Sequence, residues 1–405
     1  MRLFVFDDAR ADAWEPFALT RPCGELRFGA SLLRERLEAA TGLAASAALT
    51  RPWLTAFREE GAPPCLPRHR PPAAPQRGVW LSSRFVPAGG LELDAGDEAR
   101  PLLFVCGGEV AGLRLPAGHE PPDAAWLAAP APRPDAEMFE VPGRLLPHVW
   151  SLVEGNAERL AADLADGPCG APPPPHVHVL GDGSLQLGRD VRIEPGVVLD
   201  VRNGGIRLDE GVEVRAGCRL EGPLHVGSGG RLLGGAMSRL AAGPRSYLRG
   251  EIEESIVLGY ANKAHDGFLG HALVGRWVNL GAGTTNSDLK NNYGPVRLGA
   301  PDGDIDTGLL KLGCLLGDHV RTAIGTLFTT GTVAGAGASV FGPGAPPKWI
   351  PPFAWGAGAL AGSYRIDRFL ETAATAMPRR GVPCDEDTRR WLSAAWDEAR
   401  RRYAG

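Results

Sequence analysis

The chain has 405 residues and a formal net charge of −4, with 44% hydrophobic and 22% charged residues. These values are ordinary for a globular protein of two or more domains. The acidic balance, with no run of Lys and Arg interleaved with aromatics, argues against nucleic-acid binding. The opening MRLFVFDDAR lacks a basic stretch followed by an apolar core, and no apolar run is long enough to cross a bilayer. The sequence therefore predicts neither a secretory signal nor a membrane span.

Seven cysteines are scattered along the chain, and no two form a CxxC pair. Their odd number and irregular spacing favour free thiols in a reducing compartment over a disulfide framework or a zinc site. We therefore expect a cytoplasmic protein.

The N-terminal part of the chain alternates between strand and helix patterns. RLFVFDD reads as a short strand ending in acids, and ASLLRERLEAA (30–40) has helical spacing. VWLSSRFVP and PLLFVCGGEV read as buried strands, and residues 148–164 read as a helix with a polar face. This alternation predicts an α/β, Rossmann-like domain with a mainly parallel sheet over residues 1–166. GPCGAPPPPH (167–176) reads as a stiff linker.

From about residue 185, apolar residues recur every six positions. The registers are Leu187, Ile193, Leu199; then Leu208, Val214, Leu220, Val226, Leu232; then Phe268, Val274, Leu280; then Leu316, Thr322, Phe328, Ala334, Val340. A period of six fits a short strand plus a tight corner, three of which close one triangular coil. The strands of a β-sandwich alternate with period two instead. The pattern predicts a left-handed parallel β-helix over residues 177–360.

After the repeats, PPKWIPPFAWG (346–356) is a rigid exit, and residues 363–377 and 385–403 read as amphipathic helices. We expect residues 361–405 to form a helical cap over the last coil, because a bare coil end exposes unpaired strand edges. Asp385 and Asp387 are the candidate N-caps of the second helix.

Residues 262–293 hold the densest cluster of polar chemistry. The chain contains only four lysines and seven asparagines, and five of the asparagines lie in this window. An ammonium group holds phosphate as a compact charge, and amides orient polar ligands by donating and accepting together. His265 follows Lys263 by two residues and adds a candidate base.

Several motifs along the chain carry a family resemblance. They are FDD (6–8), LTRPCGELRFG (19–29), WLSSRFVP (80–87), NKAHDGFLGH (262–271), WVNLGAGTTNSDLKNNYGPV (277–296) and IDTGLLKLG…GDHVRTAIGT (305–326). Together they resemble the bacterial bifunctional N-acetylglucosamine-1-phosphate uridylyltransferase/glucosamine-1-phosphate acetyltransferase family, in a divergent branch of sugar nucleotidyltransferases.

The resemblance implies roles for residues of the β-helix. His265 would be the general base that takes a proton from the sugar amine. Six residues would bind the sugar phosphate: Lys263, Asn279, Lys290, Asn292, Tyr293 and Arg249. Four would bind acetyl-CoA, with the amides of the first two facing the acyl oxygen: Ala282, Gly283, Ile324 and Gly342. The family also implies a homotrimer with acyl sites between subunits.

The chain departs from the family pattern in this window. One residue is missing between Lys263 and Gly270, Phe268 stands where the family has Tyr, and Asp288 stands where Asn is common. The competing interpretations are a solvated corner histidine for His265 and simple turn chemistry for Asn286, Asn291 and Asn292.

The N-terminal motifs depart further from the family. FDDARADAW replaces the family's Gly-rich phosphate loop and contains no glycine, and Cys23 replaces a lysine. We expect three arginines to supply charge to a nucleotide instead, namely Arg21, Arg27 and Arg84. Asp7, Asp8 and Glu109 are the candidate acids of this site, with Asp8 and Glu109 as ligands of Mg²⁺.

The resemblance therefore implies two reactions of nucleotide-sugar synthesis. One is acetyl transfer from acetyl-CoA to an amino-sugar 1-phosphate. The other joins a sugar 1-phosphate to a UTP-like nucleoside triphosphate and releases pyrophosphate. The alternatives are a protein with one active half, a non-catalytic scaffold, and a zinc enzyme of the γ-carbonic anhydrase kind. The last needs three His ligands, whereas His265 and His271 lie six residues apart, on different faces of a coil.

Overall fold

Two units make up the described part of the chain in a computed structural model, which covers residues 1–72, 77–165, 172–357 and 362–403. The first unit comprises residues 1–26, 31–151 and 385–398, and the second comprises 27–30, 152–384 and 399–405. The predicted linker lies largely outside the described residues, because 166–171 are among the gaps.

A seven-stranded mixed sheet forms the centre of the first unit. Its strands are β1 (Arg2–Phe6), β2 (Ala45–Thr50), β3 (Cys65–Pro67), β4 (Gly78–Ser82), β5 (Leu102–Cys106), β6 (Glu109–Leu115) and β7 (Glu137–Glu140). The order across the sheet is β7-β5-β6-β4-β1-β2-β3. Only β6 runs antiparallel to both of its neighbours, so the expectation of a mainly parallel sheet is confirmed.

Alternating side chains of this sheet bury two apolar faces, as expected for a sheet covered on both sides. One face includes Leu3, Val79 and Phe104, and the other includes Phe4, Trp80 and Leu113. The helices of the N-terminal region are α1 (Ala9–Asp12), α2 (Leu33–Thr41), α3 (Ala124–Ala128), α4 (Ser151–Glu154) and α5 (Asn156–Leu164), with 3-10 turns at Cys23–Glu25 and Pro52–Leu54. Short strands lie at Arg27–Phe28, Ser31–Leu32, Phe85–Pro87 and Gly143–Leu145.

The second unit is a long parallel β-solenoid of the left-handed β-helix kind, which confirms the predicted fold class. Wall 1 contains His178–Leu180, Val198–Asp200, Cys218–Glu221, Gly235–Ser238, Glu251–Glu253 and Phe268–Gly270, followed by the pair Thr285–Asn286 and Leu327–Phe328. Wall 2 contains Leu185–Leu187, Ile206–Leu208, Leu224–Val226, Ala241–Ala242, Ile256–Val257, Leu273–Val274, Leu315–Leu316, Val333–Ala334 and Trp349–Ile350. Wall 3 contains Arg192–Ile193, Glu213–Val214, Arg231–Leu232, Tyr247–Leu248 and Asn262–Lys263, then bridges through Asn279 to Arg321–Thr322, Ser339–Val340, Ala354–Trp355 and the antiparallel Gly362–Ser363.

The predicted six-residue register follows the buried column of the solenoid. One position differs from the prediction, because Leu269 is buried in the core while Phe268 is only half-buried. The chain leaves the coil between Asn286 and Leu315 in a long insertion, which contains an antiparallel pair of short strands, Arg297–Leu298 and Ile305–Asp306. The insertion interrupts the period of six, and it contains the Lys-Asn-Asn-Tyr segment of the sequence.

Two C-terminal helices, α6 (Ile366–Ala376) and α7 (Glu386–Tyr403), follow the solenoid, with a 3-10 turn at Met377–Arg380 between them. Asp385 caps α7 by accepting from the Thr388 amide at 2.8 Å, as the sequence predicts. Helix α7 fits the expected cover over the last coil only at its end, where the residues from Ala399 belong to the second unit and Tyr403 packs against Trp349 with ring centres 5.8 Å apart. Its first part belongs to the first unit, where Trp391 donates to Thr20 O at 2.7 Å and packs edge-on against Phe57.

Among the described residues, no helix is both long and apolar enough to cross a bilayer. Five buried cysteines there have free thiols: Cys23, Cys65, Cys106, Cys218 and Cys314.

Candidate active site

One edge of the solenoid gathers most of the predicted acyl-transfer residues. We call it the 3–1 edge; it is where the chain turns from wall 3 to wall 1, at 249–250, 264–267, 281–284 and 323–326, and it ends at 341–342. Arg249, His265, Ala282, Ile324 and Gly342 therefore lie along one line on successive coils. Adjacent parallel strands are about 4.8 Å apart, so the line spans several coils.

Backbone hydrogen bonds hold these corners in register. The Arg249 amide donates to Lys263 O at 2.7 Å, and the Gly325 amide donates to Ala282 O at 2.7 Å. Successive corners of the 3–1 edge are therefore hydrogen-bonded to one another, and this bonding fixes the position of each corner relative to the corner of the next coil.

His265 lies exposed at a corner of this edge. The next residue, Asp266, pairs with the Arg249 guanidinium at 3.0 Å. The histidine therefore has open space for a ligand, and a cation lies one coil below it.

Lys263 does not reach that space. Its strand register places it in the inward column of wall 3, opposite Leu248, and its side chain is buried. Its ammonium donates to the carbonyl oxygens of Arg249, at 3.0 Å, and His265. Burial lowers the pKa of Lys263 to about 8, with Asp266 opposing this effect and Arg249 adding to it. The predicted role of Lys263 as a direct phosphate ligand does not fit this arrangement, because two backbone oxygens occupy its ammonium.

The two predicted amide donors differ in availability. The Gly283 amide donates to Asp266 O at 3.2 Å, so its predicted contact with an acyl oxygen does not fit this structure. The Ala282 amide has no hydrogen bond within the described residues and remains available as a donor. Gly283 has φ +73°, a backbone conformation that favours glycine, and a Cβ there would lie 3.8 Å from Gly325.

Ile324 and Gly342 line one small pocket of about 90 Å³ further along the 3–1 edge. Ile324 is 80% exposed, an unusual state for an apolar side chain of this size. Two of the four residues that the resemblance assigns to acetyl-CoA thus lie together.

The remaining predicted residues lie elsewhere on the solenoid. Asn279 faces outward from wall 3 and accepts a hydrogen bond from Asn262 Nδ2 at 3.0 Å. In the insertion, Lys290 donates to Pro295 O at 3.1 Å, and Asn292 accepts from the Gly294 amide at 3.1 Å. Asn292 therefore stabilises a turn in this structure, whereas the neighbouring Tyr293 is largely exposed.

A histidine outside the predicted set forms the strongest charge cluster of this region. His271 lies between Glu254, at 2.6 Å, and Asp288, at 2.7 Å, which belong to the coils below and above it. Burial alone lowers the pKa of His271, but its bonds to Asp288 and Glu254 outweigh burial and raise the pKa to about 9. The only sequence signal was the equal spacing of the three residues, because each acid lies one coil length away from His271 along the chain.

This cluster predicts a pH-dependent stability. Because the pKa of His271 rises from 6.5 to about 9 on folding, its stabilisation is complete below about pH 6.5 and disappears as the pH rises through 9. We expect His271→Gln to lower the free energy of unfolding by on the order of 3 kcal/mol at pH 6, and much less at pH 9.5. Denaturant titrations of wild type and variant at both pH values measure the difference. A loss that does not change with pH would contradict the assignment.

The predicted nucleotide site of the first unit contains a closed network of charges. Asp7 is buried at the end of β1, where it accepts from the Thr50 hydroxyl at 2.6 Å and the Ser83 hydroxyl at 2.7 Å. Arg51 lies 3.2 Å from Asp7 and 3.0 Å from Asp12. Burial raises the pKa of Asp7 against the opposing charge of Arg51. Sequence reasoning missed Arg51, since nothing local links it to the first strand.

The Asp8 carboxylate also has hydrogen-bond partners within the chain. It accepts from the Arg84 guanidinium at 2.7–2.9 Å and caps α1 by accepting from the Ala11 amide at 2.8 Å. Glu109 is half-exposed and pairs with Arg10 at 2.9 Å. A guanidinium thus takes the position that a cation would need at Asp8. Because Arg84 pairs with Asp8 and Arg10 pairs with Glu109, coordination of Mg²⁺ by these two carboxylates does not fit this arrangement.

The other predicted arginines of this site also have internal partners. Arg21 is fully buried and binds Glu59 through two hydrogen bonds, at 3.0 and 2.9 Å. Arg27 is buried and donates to Ala30 O. Neither Arg21, Arg27 nor Arg84 projects its charge into open space, so their predicted contact with a nucleotide does not fit this structure.

Comparisons with known proteins give one family match and several relatives. Residues 3–166 match the family described as sugar nucleotidyl transferase. Three bifunctional enzymes are similar to limited stretches of the chain, and the predicted resemblance is confirmed at low identity.

The relatives are similar over limited lengths. A bifunctional sugar-1-phosphate nucleotidylyltransferase/acetyltransferase of Sulfurisphaera tokodaii is 32% identical over 25% of this chain and 29% of its own. The bifunctional protein GlmU of Acaryochloris marina is 28% identical over 36% of each chain. GlmU of Geotalea uraniireducens is 30% identical over 30% of this chain and 25% of its own. The chain thus matches between a quarter and just over a third of the length of these relatives.

Among solved structures, an Arabidopsis UDP-N-acetylglucosamine acyltransferase matches 50% of this chain and 77% of its own, at 12% identity and a TM-score of 0.31.

Proposed function

We propose that this sugar nucleotidyl transferase relative is a two-domain enzyme of nucleotide-sugar biosynthesis. The β-helix transfers the acetyl group of acetyl-CoA to an amino-sugar 1-phosphate, and the first domain joins the sugar 1-phosphate to a UTP-like donor with release of pyrophosphate. The observation that supports the acyl reaction is the line formed by His265, Ala282, Ile324 and Gly342 along the 3–1 edge.

The acyl step needs a base, an oxyanion donor and a place for the thioester. The amine nitrogen of the sugar attacks the thioester carbonyl, and the His265 imidazole takes the proton that the nitrogen loses. The Ala282 amide, which has no hydrogen bond within the described residues, donates to the carbonyl oxygen as negative charge develops. The carbon–sulfur bond then breaks, and coenzyme A leaves as a thiolate that takes up a proton.

The sugar phosphate lies, in this proposal, near Arg249, one coil from His265, and near the exposed Tyr293 and the Lys290–Asn292 turn. A second copy of the chain completes the site in a homotrimer. Three exposed apolar side chains on or beside the 3–1 edge support such a contact: Ile324, Leu327 and Phe341.

A second candidate function has one active half, with catalysis confined to the β-helix. The closed network of Asp7, Asp8, Arg51 and Arg84 favours it, because these charges already neutralise one another inside the first domain. The family match of residues 3–166 favours the bifunctional alternative instead.

Separate assays on the purified full chain divide these proposals. Release of the coenzyme A thiol from acetyl-CoA, dependent on an amino-sugar 1-phosphate, measures the first reaction. Release of pyrophosphate from a nucleoside triphosphate and a sugar 1-phosphate, with added Mg²⁺, measures the second. We expect both products; coenzyme A alone would select the second candidate, and neither product would refute the proposal.

Lys263 acts here as a positioning residue, because its ammonium fixes the carbonyl of His265. We expect Lys263→Met to lower the kcat of acyl transfer by about 10- to 100-fold, since small displacements of a catalytic group are costly. The KM for the sugar phosphate should stay nearly constant, because no ground-state contact is lost. Steady-state kinetics with the sugar phosphate varied measure both constants.

The matched control is Lys348→Met, which removes another lysine that donates to a carbonyl, Arg297 O at 2.9 Å. It should leave both constants unchanged. A large rise in KM with constant kcat in Lys263→Met would restore the role of Lys263 as a phosphate ligand.

A further inference from the structure

A groove of about 570 Å³ runs along the outer face of wall 3. Its floor consists of outward side chains on successive coils, and the register pairs Tyr247 with Asn262, Asn262 with Asn279, and Asn279 with Arg321. Helix α6 and the turn Met377–Arg380 supply the opposite side. The groove lies on the outer face of wall 3, whereas Ala282 and Ile324 lie at the edge where wall 3 turns into wall 1.

Positive charge dominates the lining. Arg321, Arg379 and Arg380 face one acid, Glu371. Arg321 is half-buried, and within the described part of the chain its guanidinium has neither a hydrogen bond nor a carboxylate partner. Burial lowers the pKa of Arg321, which is the expected effect of holding a cation in a poorly solvated place without a counter-charge. An anion that enters the groove removes this cost.

Arg380, from the turn on the opposite side, is held in place without a carboxylate partner among the contacts below. The Arg380 guanidinium stacks 3.6 Å from the centre of the Tyr247 ring and donates to Asn262 Oδ1 at 3.3 Å. Its Nε is buried and has no hydrogen bond in the described residues. Arg380 thus has a fixed orientation with donor capacity left over, which suits recognition of phosphate oxygens.

The rest of the lining is polar and aromatic. Asn279 Oδ1 accepts a hydrogen bond from Asn262 Nδ2, and this bond fixes the orientation of the Asn279 amide. The hydrogens of Asn279 Nδ2 are therefore directed away from Asn262. Tyr260 and Trp277 stack with ring centres 4.4 Å apart and form the apolar border. Ligand pockets typically have volumes of about 300–1,000 Å³, so this groove has room for a small organic molecule.

We propose that this groove binds a phosphorylated small molecule, with its phosphate on Arg321, Arg379 and Arg380 and its organic part against Asn279 and the tyrosines. Such a molecule has two possible sources in this protein's proposed chemistry: a sugar phosphate and a nucleotide. Both share the phosphate ester that the arginines recognise. The proposal concerns binding alone and does not require turnover at His265.

Isothermal titration calorimetry on the full chain tests the site with three probes: inorganic phosphate, glucosamine 1-phosphate and UDP. We expect at least one of the two esters to bind more tightly than inorganic phosphate, and Arg321→Met to weaken that binding by about 10- to 100-fold, the usual worth of a charged hydrogen bond. Arg379→Met, at an exposed position, should produce a smaller loss without disturbing the packing.

Arg192→Met is the matched control, because Arg192 occupies the same outward column of wall 3 outside the groove. It should bind the probes as wild type does. Loss of glucosamine 1-phosphate binding in Arg321→Met identifies a sugar phosphate as the occupant, and loss of UDP binding identifies a nucleotide. Equal affinity of all three probes, no binding of either ester, or unchanged affinity in both groove variants would overturn the proposal.

Discussion

Replacement of His265 by alanine is expected to lower the rate of acyl transfer by about 10²- to 10⁴-fold, the usual contribution of a general base. The imidazole stands exposed at a corner of the 3–1 edge, so its removal leaves no cavity and exposes no buried group. The KM for acetyl-CoA should change little, because the residues assigned to the donor lie on later coils. Pyrophosphate release should be unaffected, since the first domain carries that reaction in our proposal. Parallel assays of thiol and pyrophosphate release on the same preparation measure both effects.

His178→Ala is the matched control for this experiment. His178 is also an exposed histidine of the β-helix, but it lies in the first strand of wall 1, far along the chain from the 3–1 corner at 264–267. Its removal should leave both reactions unchanged. Equal losses in the two variants, or full acyl transfer by His265→Ala, would refute the assignment of the base.

Replacement of Arg84 by methionine is expected to destabilise the first domain by about 3–5 kcal/mol, as found when a buried ion pair loses one partner. Arg84 and Asp8 are both buried, and three hydrogen-bond contacts of 2.7–2.9 Å join them. Without the guanidinium, the Asp8 carboxylate keeps its cap on α1 but loses its counter-charge. Denaturant unfolding, followed through the transition of the first domain, measures the loss.

Arg10→Met provides the control for this prediction. Arg10 pairs with Glu109 at 2.9 Å, yet both side chains are at least half exposed. Exposed pairs contribute only about 0–1 kcal/mol, so this variant should remain near wild type. If Arg84→Met stays fully stable and loses pyrophosphate release instead, Arg84 binds a nucleotide as the sequence first indicated.

The β-helix could be predicted in detail because its determinants are local. Each side of a coil is one strand and one corner. The six-residue period of Leu208, Val214 and Leu220 therefore predicts the triangular cross-section of the fold. The roles of His265, Ala282 and Ile324 came from the resemblance, and the structure places them at corners of successive coils. The predicted register of Phe268, Val274 and Leu280 did not place Lys263 in the inward column, because Leu269 and not Phe268 is the core residue of that strand.

The path of the long insertion and the position of helix α6 against wall 3 were harder to predict than the helix itself. The insertion after Asn286 breaks the period, so the position of Asn292 and Tyr293 relative to the edge does not follow from spacing. Arg321 lies in the motif GDHVRTAIGT. Its place in a groove depends on α6, a later segment of the chain that lines the opposite side of that groove.

The sequence by itself determined the two-part architecture, because alternating elements and a six-residue period are short-range patterns. Resemblance carried by contiguous motifs named the candidate residues of the acyl site. The tertiary structure alone decided which charges remain available to a ligand. Arg84 meets Asp8 across a sequence separation of 76, and Arg51 reaches Asp7 from the end of a different strand, β2. Pairing over such distances is set by how strands and loops pack together, and buried charges must find partners wherever packing places them.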